Sequence, residues 1–409
     1  MFEVEEWLHS RIGLNFRSGL GRMQQAVDLL GNPEKFYPII HVTGTNGKGS
    51  TIAFMRELFM GHGKKVASFT SPHIVSINDR ICINGQPIAD ADLIRLAEQV
   101  KEMEKTLLQT HDQLSFFELL TLIAFLYFRE QEVDLVLLEV GIGGLLDTTN
   151  VVIGEIAVIT SIGLDHQETL GDSIAAIAEQ KAGIFKAGKK AVIAELPSEA
   201  RLVCQKKADS LAVALYQAGQ DFSSSLLNIS QLKIGLEGAY QQENAALALQ
   251  TFLLFMREEK EVVDEQAVRQ ALAKTYWAGR LERIRPQIYL DGAHNLPALT
   301  RLVEFIKEKE QEGYRPQILF GALKRKDYQG MLGYLTENLP QVELKVTGFD
   351  YQGSLDETDI TGYDVIPSYR EFISSFEERA DTQDLLFITG SLYFISEVRG
   401  YLLAHEQIN

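Results

Sequence analysis

The segment IIHVTGTNGKGST, residues 39–51, constrains the fold more than any other part of this 409-residue sequence. An apolar run enters a loop that holds three glycines and Lys48, and the helical pattern IAFMRELF follows. Glycines let backbone N–H groups turn inward and a helix N-terminus adds positive potential, so this order of elements is typical of a phosphate cradle. The spacing departs from the strict G-x-x-x-x-G-K-[ST] pattern. A tight turn at a helix start is the alternative interpretation.

Strand-like runs alternate with helical patterns along the chain, which predicts an α/β architecture with largely parallel sheets. The strand candidates are Pro38–Val42, Lys65–Phe69, Leu135–Val140, Ile156–Ser161, Ala191–Ile193, Gln287–Asp291, Gln317–Phe320, Leu344–Thr347 and Leu385–Thr389. The helix candidates are Asp90–Gln109, Phe116–Glu130, Ile174–Lys186, Glu243–Arg257, Pro297–Glu310, Tyr328–Asn338, Tyr369–Glu378 and Leu392–Leu403.

A stretch without clear periodicity, TYWAGRLERIRPQ, separates two series of these elements. It contains Gly279 and Pro286, so we place a domain boundary there. The sequence therefore predicts a first domain over residues 1–277, a linker over 278–286 and a second, smaller domain over 287–409.

Composition narrows the function classes. Lys and Arg number 39 against 56 Asp and Glu, so the net charge is −17, which disfavours nucleic acid and anionic membranes as partners. The only two cysteines lie far apart, which indicates a reducing compartment without a disulfide framework. We see no signal peptide and no apolar run of membrane-spanning length, so a cytoplasmic protein is expected.

Polar side chains follow several predicted strands, at the sheet edge where open α/β folds bind ligands. Ser71 lies in TSPH, which an ordinary turn explains equally well. Glu139 ends the apolar run LVLLEV, and buried carboxylates are rare unless they are paired or bind metal. His166, in LDHQ, is as compatible with a structural role as with metal binding. For Lys181, the local pattern favours a lysine that reaches solvent.

Three residues of the second half stand out in the same way. Asp291 ends a predicted strand in IYLDGAHN, and His294 lies at the start of the next helix. Arg280, in AGRLE, is a surface charge or a phosphate ligand.

The ordered motifs resemble those of folylpolyglutamate synthases, a family of the Mur ligases that includes bifunctional dihydrofolate synthases. The blocks are HVTGTNGKGS, TSPHI with NDRI, EVGIGG-x-x-D-x-TN, LDH, KAGI, GRLE and DGAHN. The resemblance implies an N-terminal P-loop-type ATPase domain with a mostly parallel sheet and a smaller C-terminal Rossmann-like domain. It also implies a ligase of folate metabolism. Such enzymes use ATP to phosphorylate a folate carboxylate, and the amine of L-glutamate then attacks the acyl phosphate.

The resemblance also assigns roles to residues of this sequence. The implied nucleotide-binding residues are Thr45, Asn46, Gly47, Lys48, Gly49, Ser50, Thr51, Asn244, Arg280 and Asp291. The residues implied at two Mg²⁺ sites are Ser50, Ser71, Glu139 and His166. Lys181 matches a lysine that is carbamylated in the family, which reverses the local interpretation, and His294 would lie close to the reacting groups. Lys48, Lys181 and His294 are therefore the catalytic candidates.

The substrate pocket is the least defined part of this hypothesis. His73, Arg80, Phe117 and Glu118 are candidate wall residues, although helix packing explains Phe117 equally well, and Leu145 stands where many relatives carry Arg. The expected partners are ATP, L-glutamate, tetrahydrofolate or a related folate, and dihydropteroate if the enzyme is bifunctional. We expect a monomer. The alternatives are a nucleotide-binding switch without ligase activity and another Mur-type amide ligase.

Overall fold

The structure is a computed structural model that describes residues 2–14, 19–218, 232–356 and 358–406. The chain divides into two compact units. The first comprises the described residues up to Ile234 together with Glu243–Thr275, and the second comprises Gly235–Gln242 together with the chain from Tyr276 onward.

The first unit is built on an eight-stranded sheet in the order β4-β3-β2-β5-β1-β6-β7-β8. Its strands are β1 (Ile39–Thr43), β2 (Val66–Phe69), β3 (Ile81–Ile83), β4 (Gln86–Pro87), β5 (Leu135–Glu139), β6 (Ile156–Ile159), β7 (Lys190–Ile193) and β8 (Ala214–Gln217). The neighbouring strands β2, β5, β1, β6, β7 and β8 pair in parallel. At one edge of the sheet, β3 and β4 extend it by antiparallel pairing.

Helices connect and cover these strands. They are α1 (Phe2–His9), α2 (Gly21–Leu29), α3 (Lys48–Gly61), α4 (Asp90–Leu107), α5 (Phe116–Glu130), α6 (Gln167–Leu170), α7 (Ile174–Ala182), α8 (Ser198–Ser210), α9 (Tyr240–Glu258) and α10 (Glu265–Lys274). Every residue of β1, β5 and β6 is buried, because central parallel strands are covered on both faces of a sheet. This explains their continuous apolar runs.

The second unit contains a six-stranded sheet in the order β13-β12-β11-β14-β10-β9. Its strands are β9 (Glu282–Arg285), β10 (Ile288–Leu290), β11 (Arg315–Phe320), β12 (Glu343–Thr347), β13 (Asp364–Ile366) and β14 (Asp384–Thr389). Its helices are α11 (Leu296–Gln311), α12 (Tyr328–Asn338), α13 (Tyr369–Arg379) and α14 (Leu392–Glu406). All strand pairs are parallel except β9 with β10.

The predicted fold class, α/β with largely parallel sheets, is confirmed. Several segments differ from the prediction, among them the stretch between the two series of elements. The stretch taken as a linker contains β9, whose charged alternation, ERIR, hid a strand that pairs antiparallel with β10. In the part of the chain that the structure describes, no helix is long and apolar enough to span a membrane.

Candidate active site

The glycine loop leaves β1 and enters α3 at the carboxyl edge of the sheet. Gly47 has a φ of 86°, a left-handed conformation that favours glycine, and it precedes the first residue of α3. The loop is anchored to the chain after β6: the Thr45 N–H donates to the Ser161 carbonyl (3.0 Å) and the Asn46 N–H to Ser161 Oγ (2.8 Å). A Cβ at Gly44 would lie 1.9 Å from Thr160 Oγ1. The backbone here is therefore tightly fixed.

Lys48 and Glu139 meet beside this loop. Lys48 Nζ donates to the Gly44 carbonyl at 3.0 Å and lies 3.9 Å from Glu139 Oε1. Glu139 is the last residue of β5, only 3% exposed, and its Oε2 accepts a hydrogen bond from the Ser71 N–H at 3.1 Å. β2, β5 and β1 are neighbours, so the sheet itself brings Ser71, Glu139 and Lys48 together.

The remaining residues of the loop begin α3. Ser50 and Thr51 are buried at the start of this helix, and the Thr51 N–H donates to the Gly47 carbonyl at 2.9 Å. A Cβ at Gly47 would lie 2.6 Å from Asn244 Oδ1, so Asn244 of α9 lies against the loop. Gly49 follows Lys48 within the same turn.

Lys181 is buried in α7, with an exposed fraction of 3%. Burial lowers the pKa of Lys181 from 10.5 to about 7, and the nearby Lys48 charge lowers it too, whereas Asp165 and Asp147 act in the opposite direction. The local sequence interpretation, a lysine that reaches solvent, is therefore wrong. Burial therefore makes the neutral form of this amine far more common at neutral pH than it is for an exposed lysine.

His166 is one of the four predicted Mg²⁺ ligands. His166 follows β6 and is exposed, and its backbone N–H donates a hydrogen bond to Asp165 Oδ1 at 2.9 Å. Among the described residues, no three His, Cys, Asp or Glu side chains are grouped to hold a metal. Mg²⁺ usually needs only one or two carboxylates, with water and phosphate oxygens completing its coordination. The buried Glu139 carboxylate with Ser50 and Ser71 nearby along this edge fits that mode.

Sequence reasoning missed a buried network beside Glu139. Asp147 accepts hydrogen bonds from the Ile142 N–H (2.9 Å) and from Thr149 Oγ1 (2.5 Å), and Thr149 Oγ1 lies 2.8 Å from His41 Nε2. Because the Thr149 hydroxyl donates to Asp147, it accepts from His41. Burial lowers the pKa of His41 to about 3 and raises that of Asp147. The motif D-x-TN contains Asp147, but the contact between this motif and His41 of β1 forms only in the folded chain, so the sequence does not show it.

The four substrate-wall candidates occupy three different environments. The Arg80 guanidinium donates to His73 Nδ1 at 2.9 Å and lies over the Phe116 ring; burial lowers the pKa of His73 to about 4. Phe117 packs where a Cβ on Gly141 would lie, 2.8 Å from its ring.

Glu118 has a local structural role. It forms an ion pair with Arg22 at 2.7 Å and completes a capping box with Ser115 at the start of α5. The part that Glu118 plays toward a substrate stays a prediction.

The second unit holds the other predicted residues. Asp291 is buried and accepts hydrogen bonds from the Leu281 and Ala293 N–H groups, both at 2.9 Å, and burial raises its pKa. Arg280 donates to the Gly279 carbonyl at 3.1 Å. His294 Nδ1 lies 2.7 Å from the Gly292 carbonyl, which only accepts, so this nitrogen carries the proton. The roles of these residues stay predictions.

The comparisons with known proteins agree with this geometry. Residues 42–252 match the family described as the Mur ligase middle domain, which defines the protein as an ATP-dependent ligase of the Mur class. The chain is 37% identical to a dihydrofolate synthase/folylpolyglutamate synthase of Bacillus subtilis, covering 97% of this chain and 98% of that protein. It belongs to the folylpolyglutamate synthase/dihydrofolate synthase family, as its motifs indicated.

Solved structures give the same result. The apo form of Lacticaseibacillus casei folylpolyglutamate synthase superimposes with a TM-score of 0.87 at 32% identity, covering 98% of this chain and 99% of that chain. A structure described as an FPGS–AMPPCP–folate complex gives a TM-score of 0.85 at 33% identity, with the same coverage. The predicted two-part Mur ligase fold is thereby confirmed.

Proposed function

We propose that this chain uses ATP to add L-glutamate to the glutamate side-chain carboxylate of a tetrahydrofolate. The observation that carries the proposal is the contact between Lys48 and the buried Glu139 beside a glycine loop, with the buried Lys181 nearby. This set suits phosphoryl transfer to a carboxylate, which needs positive charge around the nucleotide. Relatives named folylpolyglutamate synthase supply the substrate class.

In the first step, the folate carboxylate oxygen attacks the γ-phosphorus of ATP, and ADP leaves. The N–H groups at the start of α3 and the Lys48 ammonium would hold the phosphates, because both present donors where the phosphate charge lies. Mg²⁺, held by Ser50, Ser71, Glu139 and His166, would neutralise charge on the transferring phosphoryl group. We propose that two such ions bind.

In the second step, the glutamate amine attacks the acyl carbon, phosphate leaves and the amine loses a proton. An acyl phosphate hydrolyses readily, so the protein must exclude water until the amine has arrived. We propose that Asn244, Arg280 and Asp291 bind the nucleotide and that His294 acts near the reacting groups. The fixed Nδ1–H of His294 supports that assignment, because it leaves Nε2 as the nitrogen that can accept a proton.

We further propose that Lys181 carries a carbamate. The neutral amine is the form that attacks CO₂, with loss of a proton, and a pKa of about 7 makes much of Lys181 neutral at physiological pH. The resulting carboxylate would add an oxygen ligand for Mg²⁺ near Lys48. Activity lost in Lys181→Ala should return with added acetate or formate; full activity of that variant without additive would contradict the proposal.

A second activity, dihydrofolate synthesis from dihydropteroate and glutamate, is favoured by the name of the Bacillus subtilis relative, which includes dihydrofolate synthase. The same two chemical steps would serve both acceptors, since each presents a carboxylate to ATP.

The deciding experiment measures phosphate release from Mg-ATP with L-glutamate, in the presence of tetrahydrofolate, dihydropteroate or neither. Release that needs glutamate and tetrahydrofolate supports the synthase proposal, and an equal signal with dihydropteroate supports the second activity. Release that is indifferent to both pterins and glutamate contradicts both activities and favours a nucleotide switch.

We propose a monomer that works in the cytoplasm. Burial raises the pKa of both cysteines, Cys82 and Cys204, to about 12, which keeps them as unreactive thiols in a reducing compartment. A mass in solution equal to one chain, 45.8 kDa, is expected from light scattering.

A further inference from the structure

The turn of residues 147–150, hereafter the DTTN turn, joins two functional segments of the first unit. Its Asp147 carboxylate holds the Ile142 N–H of the loop that follows Glu139. At the other end of the turn, the Asn150 carbonyl accepts a hydrogen bond from Lys186 Nζ at 3.0 Å. The turn therefore contacts both the loop after β5 and the chain after α7.

The Asn150 side chain binds the main chain of both segments. Its Nδ2 donates to the Leu145 carbonyl at 3.0 Å and to the Gly183 carbonyl at 3.2 Å. Both acceptors are carbonyl oxygens, so the amide orientation is fixed with its NH₂ group toward them. Asn150 is 6% exposed; its bond to Gly183 is buried and its bond to Leu145 is partly buried.

Close backbone packing surrounds these two bonds. The Leu145 N–H donates to the Gln180 carbonyl at 2.7 Å, and Gln180 immediately precedes Lys181. A Cβ on Gly183 would lie 2.4 Å from Leu145 Cα, and a Cβ on Gly144 would lie 3.0 Å from the Lys181 carbonyl oxygen. The lysine-bearing helix thus rests directly on the loop after Glu139, without side chains between them.

We propose that Asn150 is a positioning residue, which clamps the end of α7 to the loop after Glu139 and so keeps the Lys181 amine buried beside Lys48. Its significance for catalysis rests on the proposed function, whereas its effect on Lys181 does not. Without the Asn150 NH₂ group, the Leu145 and Gly183 carbonyls would lose their donors and bind water instead. The end of α7 would then separate from the loop after Glu139. Water would then reach the Lys181 amine.

The test is trace acetylation of the folded, full-length protein across pH 6 to 11 in CO₂-free buffer, followed by peptide mass spectrometry at Lys181. The limiting rate at high pH reports how accessible the amine is to the reagent. We expect Asn150→Ala to raise this limiting rate several-fold, because water and reagent then reach the site.

Asn78→Ala is the matched control. Asn78 is also 6% exposed and also makes two bonds through Nδ2, to the Ile88 carbonyl at 2.7 Å and to Asp90 Oδ1 at 2.8 Å, but neither touches α7. This variant should leave the Lys181 profile unchanged. If Asn150→Ala does not fold, Asn150→Leu tests the same point, because it keeps the side-chain size and removes the donors.

An unchanged Lys181 profile in a folded Asn150 variant overturns the inference, and so does an equal shift in Asn78→Ala, which would indicate general loosening. These outcomes are separate from the proposed function. A wild-type protein without glutamate-dependent phosphate release would contradict the proposed function and would leave the labelling result standing.

Discussion

In the first unit, the ionisable groups around the glycine loop are buried, whereas the second unit carries charge clusters that lie in solvent. Glu139 and Lys181 are each 3% exposed. In contrast, Arg315 forms ion pairs with Asp381 and Asp384, and the Arg315 side chain is 55% exposed. The exposed pairs are screened by water and ions, while the buried groups are not.

This difference indicates two uses of charged residues. The buried groups of the first unit suit catalysis, and the exposed clusters of the second unit suit solubility. Desolvation moves the pKa of His41 to about 3 and that of Lys181 to about 7, so burial sets their protonation states. Hydrogen bonds with Lys324 hold the pKa of Asp356 well below its ordinary value, but that carboxylate is ionised at neutral pH in any case. Asp291 and Glu282 are exceptions in the second unit, buried like the groups of the first.

The largest effect is expected from Lys48→Ala. The proposed function places the Lys48 cation at the transferred phosphate, so its removal should lower ATP turnover by roughly two to three orders of magnitude. Phosphate release under saturating Mg-ATP and substrates is the measurement. Lys64→Ala is the matched control, since Lys64 is equally shielded (18% exposed against 17%) and also pairs with a glutamate, Glu261. Comparable losses in both variants would contradict a special role for Lys48.

Gly44→Ala should be the next most damaging change. The new Cβ would clash with Thr160 Oγ1, so unfolding free energy should fall by about 1–3 kcal/mol, as in other overpacked sites. Urea denaturation measures it. Thr160→Ala introduced into this variant should restore part of the loss, because it removes the clashing atom. Gly61→Ala, where the nearest atom would be 3.6 Å away, should be tolerated.

His41→Gln tests the buried network through pH. The pKa of His41 is about 3 in the folded protein against 6.5 ordinarily, so below pH 6.5 the unfolded chain binds the additional proton. The wild type should therefore lose about 1.4 kcal/mol of stability per pH unit relative to the glutamine variant between pH 6 and 4. Glutamine can still donate to Thr149. Stability curves that stay parallel as pH falls would show that His41 is not buried in its neutral form.

The smallest effect is expected at the exposed cluster of the second unit. Arg315→Ala should shift the melting temperature by less than about 1 °C, since exposed ion pairs contribute little. Differential scanning calorimetry at low and high salt is the measurement. A large loss that disappears in high salt would mean that this surface pairing stabilises the second unit after all.

The sequence predicted the central strands well, because burial on both faces leaves a continuous apolar run that needs no partner to be recognised. LVLLE became β5 with its glutamate at the end, as expected. Short edge strands escaped prediction. β8 and β13 lie at the edges of the two sheets and have four and three residues, and their pairing depends on strands elsewhere in the chain.

For the site, the sequence located the residues at the ends of the strands but not the contacts behind them. The glycines around Lys48 form a local pattern that is visible in the sequence alone. The bond between His41 and Thr149 joins residues 108 positions apart, and the clamp by Asn150 depends on how α7 packs. Neither leaves a local pattern. The burial of Lys181 was misjudged from local sequence for the same reason.

The path of the chain between the two units has a consequence for dissecting the protein. Residues 235–242 belong to the second unit although the chain then returns to the first until Thr275. Tyr240 packs in the core of the second unit, and Glu237 accepts a hydrogen bond from Tyr289. A gene fragment that starts at Tyr276 lacks both residues, and one that ends at Thr275 carries them without their partners. A chimera that joins the first unit of one relative to the second unit of another at a single position therefore cannot keep both units intact.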